Sequence, residues 1–213
     1  MTEREAATRS ANAVAARIRA AGVPVVQEFD TFDVTAIPSL PKQKALELAR
    51  GEWVTQRTKI CRIGGTGTGK THVAIAWGLS LCRLGTKVRF TTAAARVTEL
   101  EEAQQQHRLD RTLTRLDRLD LLIVDELGDL SFRRAGAELL FPVFADRYER
   151  RSLLVTSNLP FSEWGTVFQD ERMTAARLDR LTHRCHIFAM NGESYRFREL
   201  MTSKPAKTST AKK

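Results

Sequence analysis

Residues 64–71 read GGTGTGKT and match the pattern GxxxxGK[ST] at every position. The chemistry follows from the spelling. A loop that turns its backbone N–H groups inward around phosphate oxygens needs glycines for unusual dihedrals and close approach. A helix starting at the end of that loop adds the positive pole of its dipole. Gly64, Gly65, Thr66, Gly67, Thr68, Gly69, Lys70, Thr71 and His72 are therefore the candidate nucleotide-binding set. Lys70 is placed to reach the β- and γ-phosphates, and the Thr71 hydroxyl to ligate Mg2+.

A second cluster lies 55 residues beyond Lys70, where LDLLIVDE ends in Asp125 and Glu126. Paired carboxylates at the carboxyl end of a buried parallel strand fall where such folds bind ligands. Asp125 is the candidate Mg2+ acid. Glu126 is the candidate base that orients and deprotonates an attacking water. A base beside the magnesium acid indicates a hydrolase more than a small-molecule kinase. Asn158, closing SLLVTSN, either hydrogen-bonds that water or the γ-phosphate, or starts the turn before Pro160. No NKxD guanine-reading element occurs, so ATP is the expected nucleotide.

Two arginine-rich stretches follow. ERMTAARLDRLTHR carries Arg172, Arg177, Arg180 and Arg184. A helix there either inserts a guanidinium into a neighbouring subunit's site or is a solvated basic face. Between the second and third expected strands lie Arg96, Arg108, Arg111 and Arg115. The last three recur at three- and four-residue spacing on one helical face, which suits phosphate tracking, although Asp110 and Asp117 are interleaved. In HRCH, His183 and Cys185 would share one strand face and His186 would point away, which favours core packing over a zinc site.

The elements that must position these groups alternate from residue 59 onward, the pattern of a parallel sheet covered by helices. Strands are expected at the run into the loop and at 86–92, 119–126 and 152–158. Helices are expected at 70–84, at 92–109 and 110–119, at 134–149 and at 172–182. CHIFAM and SYRF flank Asn191-Gly192, a tight-hairpin signal. Upstream, residues 4–21 read as a helix ended by Gly22, Phe29 and Phe32 as anchors in a connector, and 42–54 as one short helix.

Composition sets the outer limits. The chain of 213 residues is 42% hydrophobic and 28% charged, enough for one α/β domain. No apolar run approaches a membrane span, and the N-terminus lacks a secretory core. Three cysteines without a CxxC pair suit reduced thiols in a cytoplasmic protein. The net charge of +9 includes four tail lysines, so it points only weakly to nucleic acid.

LDLLIVDELG, AELLFPVFADRYERRSLLVTSNLPFSEWG and ERMTAARLDRLTHRCHIFAMNGESYRFRE resemble the IstB-like helper ATPases of bacterial insertion-sequence transposition, relatives of the DnaC helicase loader in the AAA+ class. The likeness extends over roughly residues 17–199. It implies an α/β P-loop NTPase fold: a parallel sheet of about five strands flanked by helices, with a C-terminal hairpin. It implies an ATP- and Mg2+-dependent ATPase that assembles as a homo-oligomer on DNA and regulates a partner transposase, with no membrane role; the alternatives are a DnaC-like helicase loader or a truncated nucleotide-binding module without turnover. Asn158 becomes a sensor, Arg180 the finger acting in trans, 93–118 the DNA-gripping region, and Arg196 part of a motif near the nucleotide. The implied division is an N-terminal helix and linker at 1–41, an ATPase domain at 42–201 and a basic tail at 202–213.

Four departures from the family pattern stand out. The family's N-terminal helical region is represented here only by a stub. Arg62 occupies a strand position that is normally aliphatic, where burial without a partner costs several kcal/mol. Asp129 replaces an aromatic. Pro142 falls within an expected helix at a cost of about 3 kcal/mol unless the helix kinks. Together they predict a destabilised chain.

Overall fold

The computed structural model describes residues 3–26, 40–128, 134–164 and 184–190. Its strands are β1 (Lys59–Gly64), β2 (Val88–Thr92), β3 (Leu121–Asp125), β4 (Ser152–Ser157) and β5 (Cys185–Met190). They pair in parallel in the order β2-β3-β4-β1-β5. The non-alternating run LLIVD is buried at every position because helices cover both faces of the sheet. Leu121 and Ile123 enter one core cluster, and Leu122 and Val124 the other.

The first cluster lies under α4 (Lys70–Arg83), which is capped from above by α1 (Glu3–Ala21), α2 (Lys42–Ala49) and α3 (Glu52–Thr55). Trp77 of α4 is fully buried, and its indole Nε1 donates to the Ala45 carbonyl at 2.9 Å. The alanine-rich α1 is not a free arm. It packs on α4 and β2, with Arg17 Nε donating to the Cys82 carbonyl at 2.8 Å. The second cluster lies under α5 (Ala93–Gln105), α6 (Leu109–Asp117) and α7 (Arg134–Asp146).

Several boundaries differ from the sequence reading. The expected single helix over 42–54 breaks at Gly51, whose φ of 84° is left-handed. The second strand starts at Val88 rather than residue 86, and α7 ends at Asp146 rather than 149. Pro142 does not end α7; it lies exposed inside it. The hydrogen bond its missing N–H forgoes therefore falls on the solvent side, where water can replace it. The Asn191-Gly192 turn, Phe29, Phe32, Asp129, the 172–182 helix and the tail at 202–213 lie outside the described residues. No helix among the described residues is long and apolar enough to cross a membrane.

A buried arginine absent from the sequence reading ties α7 to the sheet. Arg147 is 2% exposed and donates from Nε to the Ser152 carbonyl at 3.0 Å, from Nη1 to Leu116 at 2.9 Å and from Nη2 to Leu119 at 2.8 Å. Burial lowers its guanidinium to about 10, with Asp117 opposing the shift. It remains charged at neutral pH. Arg147→Ala removes the guanidinium donors from all three carbonyls, of which Leu116 keeps the Leu119 N–H, and is expected to cost about 3 kcal/mol. Chemical denaturation of the two proteins checks this.

The topology serves the site directly. Because β4 lies between β1 and β3, the carboxyl ends of these three strands are neighbours. The Gly-rich loop, the pair Asp125 and Glu126, and the Ser157-Asn158 turn therefore collect at one edge of the sheet.

Candidate nucleotide-binding site

The loop between β1 and α4 has the backbone its glycines allow, with φ of 80° at Gly67 and 81° at Gly69, the N-cap of α4. Gly64 is required for a different reason. A Cβ there would lie 2.2 Å from the Met190 carbonyl oxygen, so β5 approaches β1 too closely for any side chain. Thr68 is buried and turns its hydroxyl back to the Gly65 carbonyl at 2.9 Å, closing the loop on itself. Lys70 Nζ donates to the Gly64 and Gly65 carbonyls, each at 2.7 Å. Its ammonium is thus held across the mouth of the loop. Thr66 is exposed, and His72 is half-buried in the first turn of α4.

Asp125 reaches this loop from β3. The carboxylate is 2% exposed, and its Oδ1 accepts from the Thr71 hydroxyl at 3.1 Å and from the Thr156 hydroxyl of β4. Thr156 in turn accepts the backbone N–H of Glu126 at 3.0 Å. One hydroxyl therefore fixes both carboxylate-bearing residues. Thr156 is not marked by any motif in the sequence; its one signal is a hydroxyl residue next to the carboxyl end of a strand buried on both faces. Glu126 itself is exposed and has a φ of 61°, unusual for a residue with a side chain. Such strain is found where a fold over-determines a functional position. Asn158 follows β4, and its Oδ1 is buried without a hydrogen-bond partner among the described residues.

Hard oxygen donors from Thr71 and Asp125 converge, which is the donor chemistry Mg2+ prefers. Thr156→Val keeps the volume and removes the hydroxyl, freeing the Glu126 amide and one side of Asp125. It is expected to lower turnover about tenfold or more and melting temperature by a few degrees, as read by parallel hydrolysis and thermal-melt assays.

Arg62 resolves differently from the expectation of an uncompensated charge. It is fully buried, yet Nη1 donates to the Lys70 carbonyl at 3.3 Å and Nη2 to Met190 Sδ at 3.0 Å. The guanidinium carbon lies 5.0 Å from the centroid of the Trp77 ring. Burial lowers it to about 9, and the Asp125 carboxylate opposes that shift. It is a cation at neutral pH.

A family model described as IstB-like ATP binding protein matches residues 1–203. The chain belongs to the IstB-like ATP-binding protein family. An insertion-sequence ATP-binding protein of Sinorhizobium fredii (strain NBRC 101917 / NGR234) is 37% identical over 205 residues, covering 96% of this chain and 69% of the relative. Among solved structures, DnaI superposes with a TM-score of 0.60 at 17% identity, covering 79% of this chain and 89% of that one. AMPPCP-bound DnaA from Aquifex aeolicus gives 0.65 at 19% identity, covering 84% and 54%. These likenesses establish the AAA+ P-loop fold. This IstB-like chain is therefore an ATP-binding protein associated with insertion sequences.

The remaining expected residues fall in three places. Arg108, Arg111 and Arg115 line a surface groove of about 750 Å³ together with Arg118, Glu99 and Glu102. Arg115 is ion-paired there with Glu99. Arg96 does not join them. It is 1% exposed beneath α5 and paired with Glu99 through Nη1, and burial lowers its guanidinium, so it has no open face for a phosphate. Arg172, Arg177, Arg180, His183 and Arg196 lie outside the described residues. Cys185 is half-buried, with its thiol 3.4 Å from that of Cys61, and no cluster of three or more His, Cys, Asp or Glu able to hold a metal occurs among the described residues.

Proposed function

We propose that this chain is a Mg2+-dependent ATPase that binds DNA and regulates the transposase of its insertion sequence. The observation that carries the reading is the convergence of Thr71, Asp125, Thr156 and Glu126 beside the phosphate loop. Thr71 and Asp125 hold the metal, which neutralises phosphate charge when bound. Lys70 exchanges its loop carbonyls for phosphate oxygens. Glu126, held at its backbone by Thr156, orients water and takes its proton. The Asn158 amide, whose buried Oδ1 has no hydrogen-bond partner among the described residues, positions the water or the γ-phosphate.

Arg180 acts in trans in a homo-oligomer, and the groove of α5 and α6 tracks DNA phosphates. The four arginines of that groove outnumber its two glutamates, which supports an anionic partner. Each phosphate contact releases counterions and steepens the salt dependence of binding by about 0.9 in log–log slope. Replacing Arg108, Arg111 and Arg115 together by Ala is expected to flatten that slope by roughly 2–3. Duplex binding measured across a salt series tests it; an unchanged slope places DNA elsewhere. Capture of a transposase, rather than a replicative helicase, by the purified protein tests the partner.

A further inference from the structure

Arg62 poses a problem that stability does not solve. Its neighbour on the same strand face, Ile60, packs in the apolar cluster under α4. Trp77 and Met190, which flank the Arg62 guanidinium, belong to the same cluster. An aliphatic side chain suits those surroundings better than a cation, because exchange of a buried charge for a hydrophobe of similar volume is often stabilising. Nε even lacks a hydrogen-bond partner among the described residues. What the guanidinium does address is the nucleotide site. Nη1 holds the carbonyl of Lys70, so it fixes the peptide joining the two residues that meet phosphate and metal. Its charge lies within electrostatic reach of Asp125. Nη2 ties the same point to the end of β5, where Met190 crowds Gly64 at the start of the loop.

We propose that Arg62 is a positioning residue for the phosphate loop, a buried cation behind it that holds the first turn of α4 in its binding geometry and offsets the charge of Asp125. The inference rests on the ATP-binding reading and extends it to a residue behind the loop that no expected phosphate contact includes. It predicts opposite signs for stability and affinity. Arg62→Met keeps the apolar volume and removes the charge and its hydrogen bonds. The variant is expected to melt roughly 5 °C higher and to bind ATP with Mg2+ at least about tenfold more weakly. Arg62→Lys keeps the charge and is expected to bind with intermediate affinity.

The experiment is a calorimetric titration of ATP with Mg2+ into wild type, Arg62→Met, Arg62→Lys and Lys70→Ala, each paired with a thermal melt. A purely structural arginine would lower melting temperature and affinity together, and an Arg62→Met variant without a cooperative melt overturns the proposal in the same way. Affinity of Arg62→Met within twofold of wild type overturns it while leaving the ATP-binding reading intact. Equal weakness of Arg62→Lys and Arg62→Met refutes the role of the charge. If wild type binds no better than Lys70→Ala, the ATP-binding reading fails and the proposal falls with it.

Discussion

Replacing Glu126 by Gln is expected to lower ATP turnover by on the order of 10²–10⁴ while leaving ATP bound. The expectation follows from how differently the two adjacent carboxylates are held. Asp125 is buried and accepts hydrogen bonds from the Thr71 and Thr156 hydroxyls, an arrangement suited to holding a cation. Glu126 is exposed, turned outward by its left-handed backbone and fixed through its amide by Thr156. Its side chain is thus exposed beside the buried Asp125. Glutamine preserves the shape and the amide contact but cannot take a proton. Single-turnover hydrolysis together with nucleotide retention on a desalting column separates the two effects. Retention without hydrolysis is the expected pair; equal turnover in the variant assigns the base elsewhere.

Lys70→Ala acts on binding instead. The ammonium makes two hydrogen bonds of 2.7 Å to loop carbonyls, and phosphate oxygens are stronger partners for the same donors. With charge-assisted bonds worth about 1.5–3 kcal/mol each, losing two weakens ATP affinity by on the order of 10² or more. The fold should tolerate the change, because the side chain braces a surface loop rather than a core. Titration of ATP into the variant, with circular dichroism as the folding control, reads both quantities.

The parts of this molecule legible in the sequence were those fixed by local chemistry. GGTGTGKT and LLIVDE announce a loop and a doubly buried strand because backbone geometry and two-sided burial restrict which residues can stand there. What stayed hidden depends on neighbours far apart along the chain. Thr156 looks like an ordinary strand residue until β4 is placed between β1 and β3, and only then does its hydroxyl meet Asp125 and Glu126. Arg96 shares its polar segment with Arg108, Arg111 and Arg115, yet α5 turns it inward. Arg62 reads as a defect in a buried strand because its partners come from residues 70, 77 and 190. Pro142 likewise reads as a helix breaker until its exposed position is known. Of the instability expected from these departures, the exposed Pro142 no longer carries its full cost, whereas the buried Arg62 charge still does.

The most direct test of the account is ATP hydrolysis by the purified protein, with and without duplex DNA, using Lys70→Ala as the blank. Turnover is expected to rise with DNA and to vanish in the variant. A well-folded wild type whose turnover never exceeds that of Lys70→Ala, with or without DNA, would contradict it.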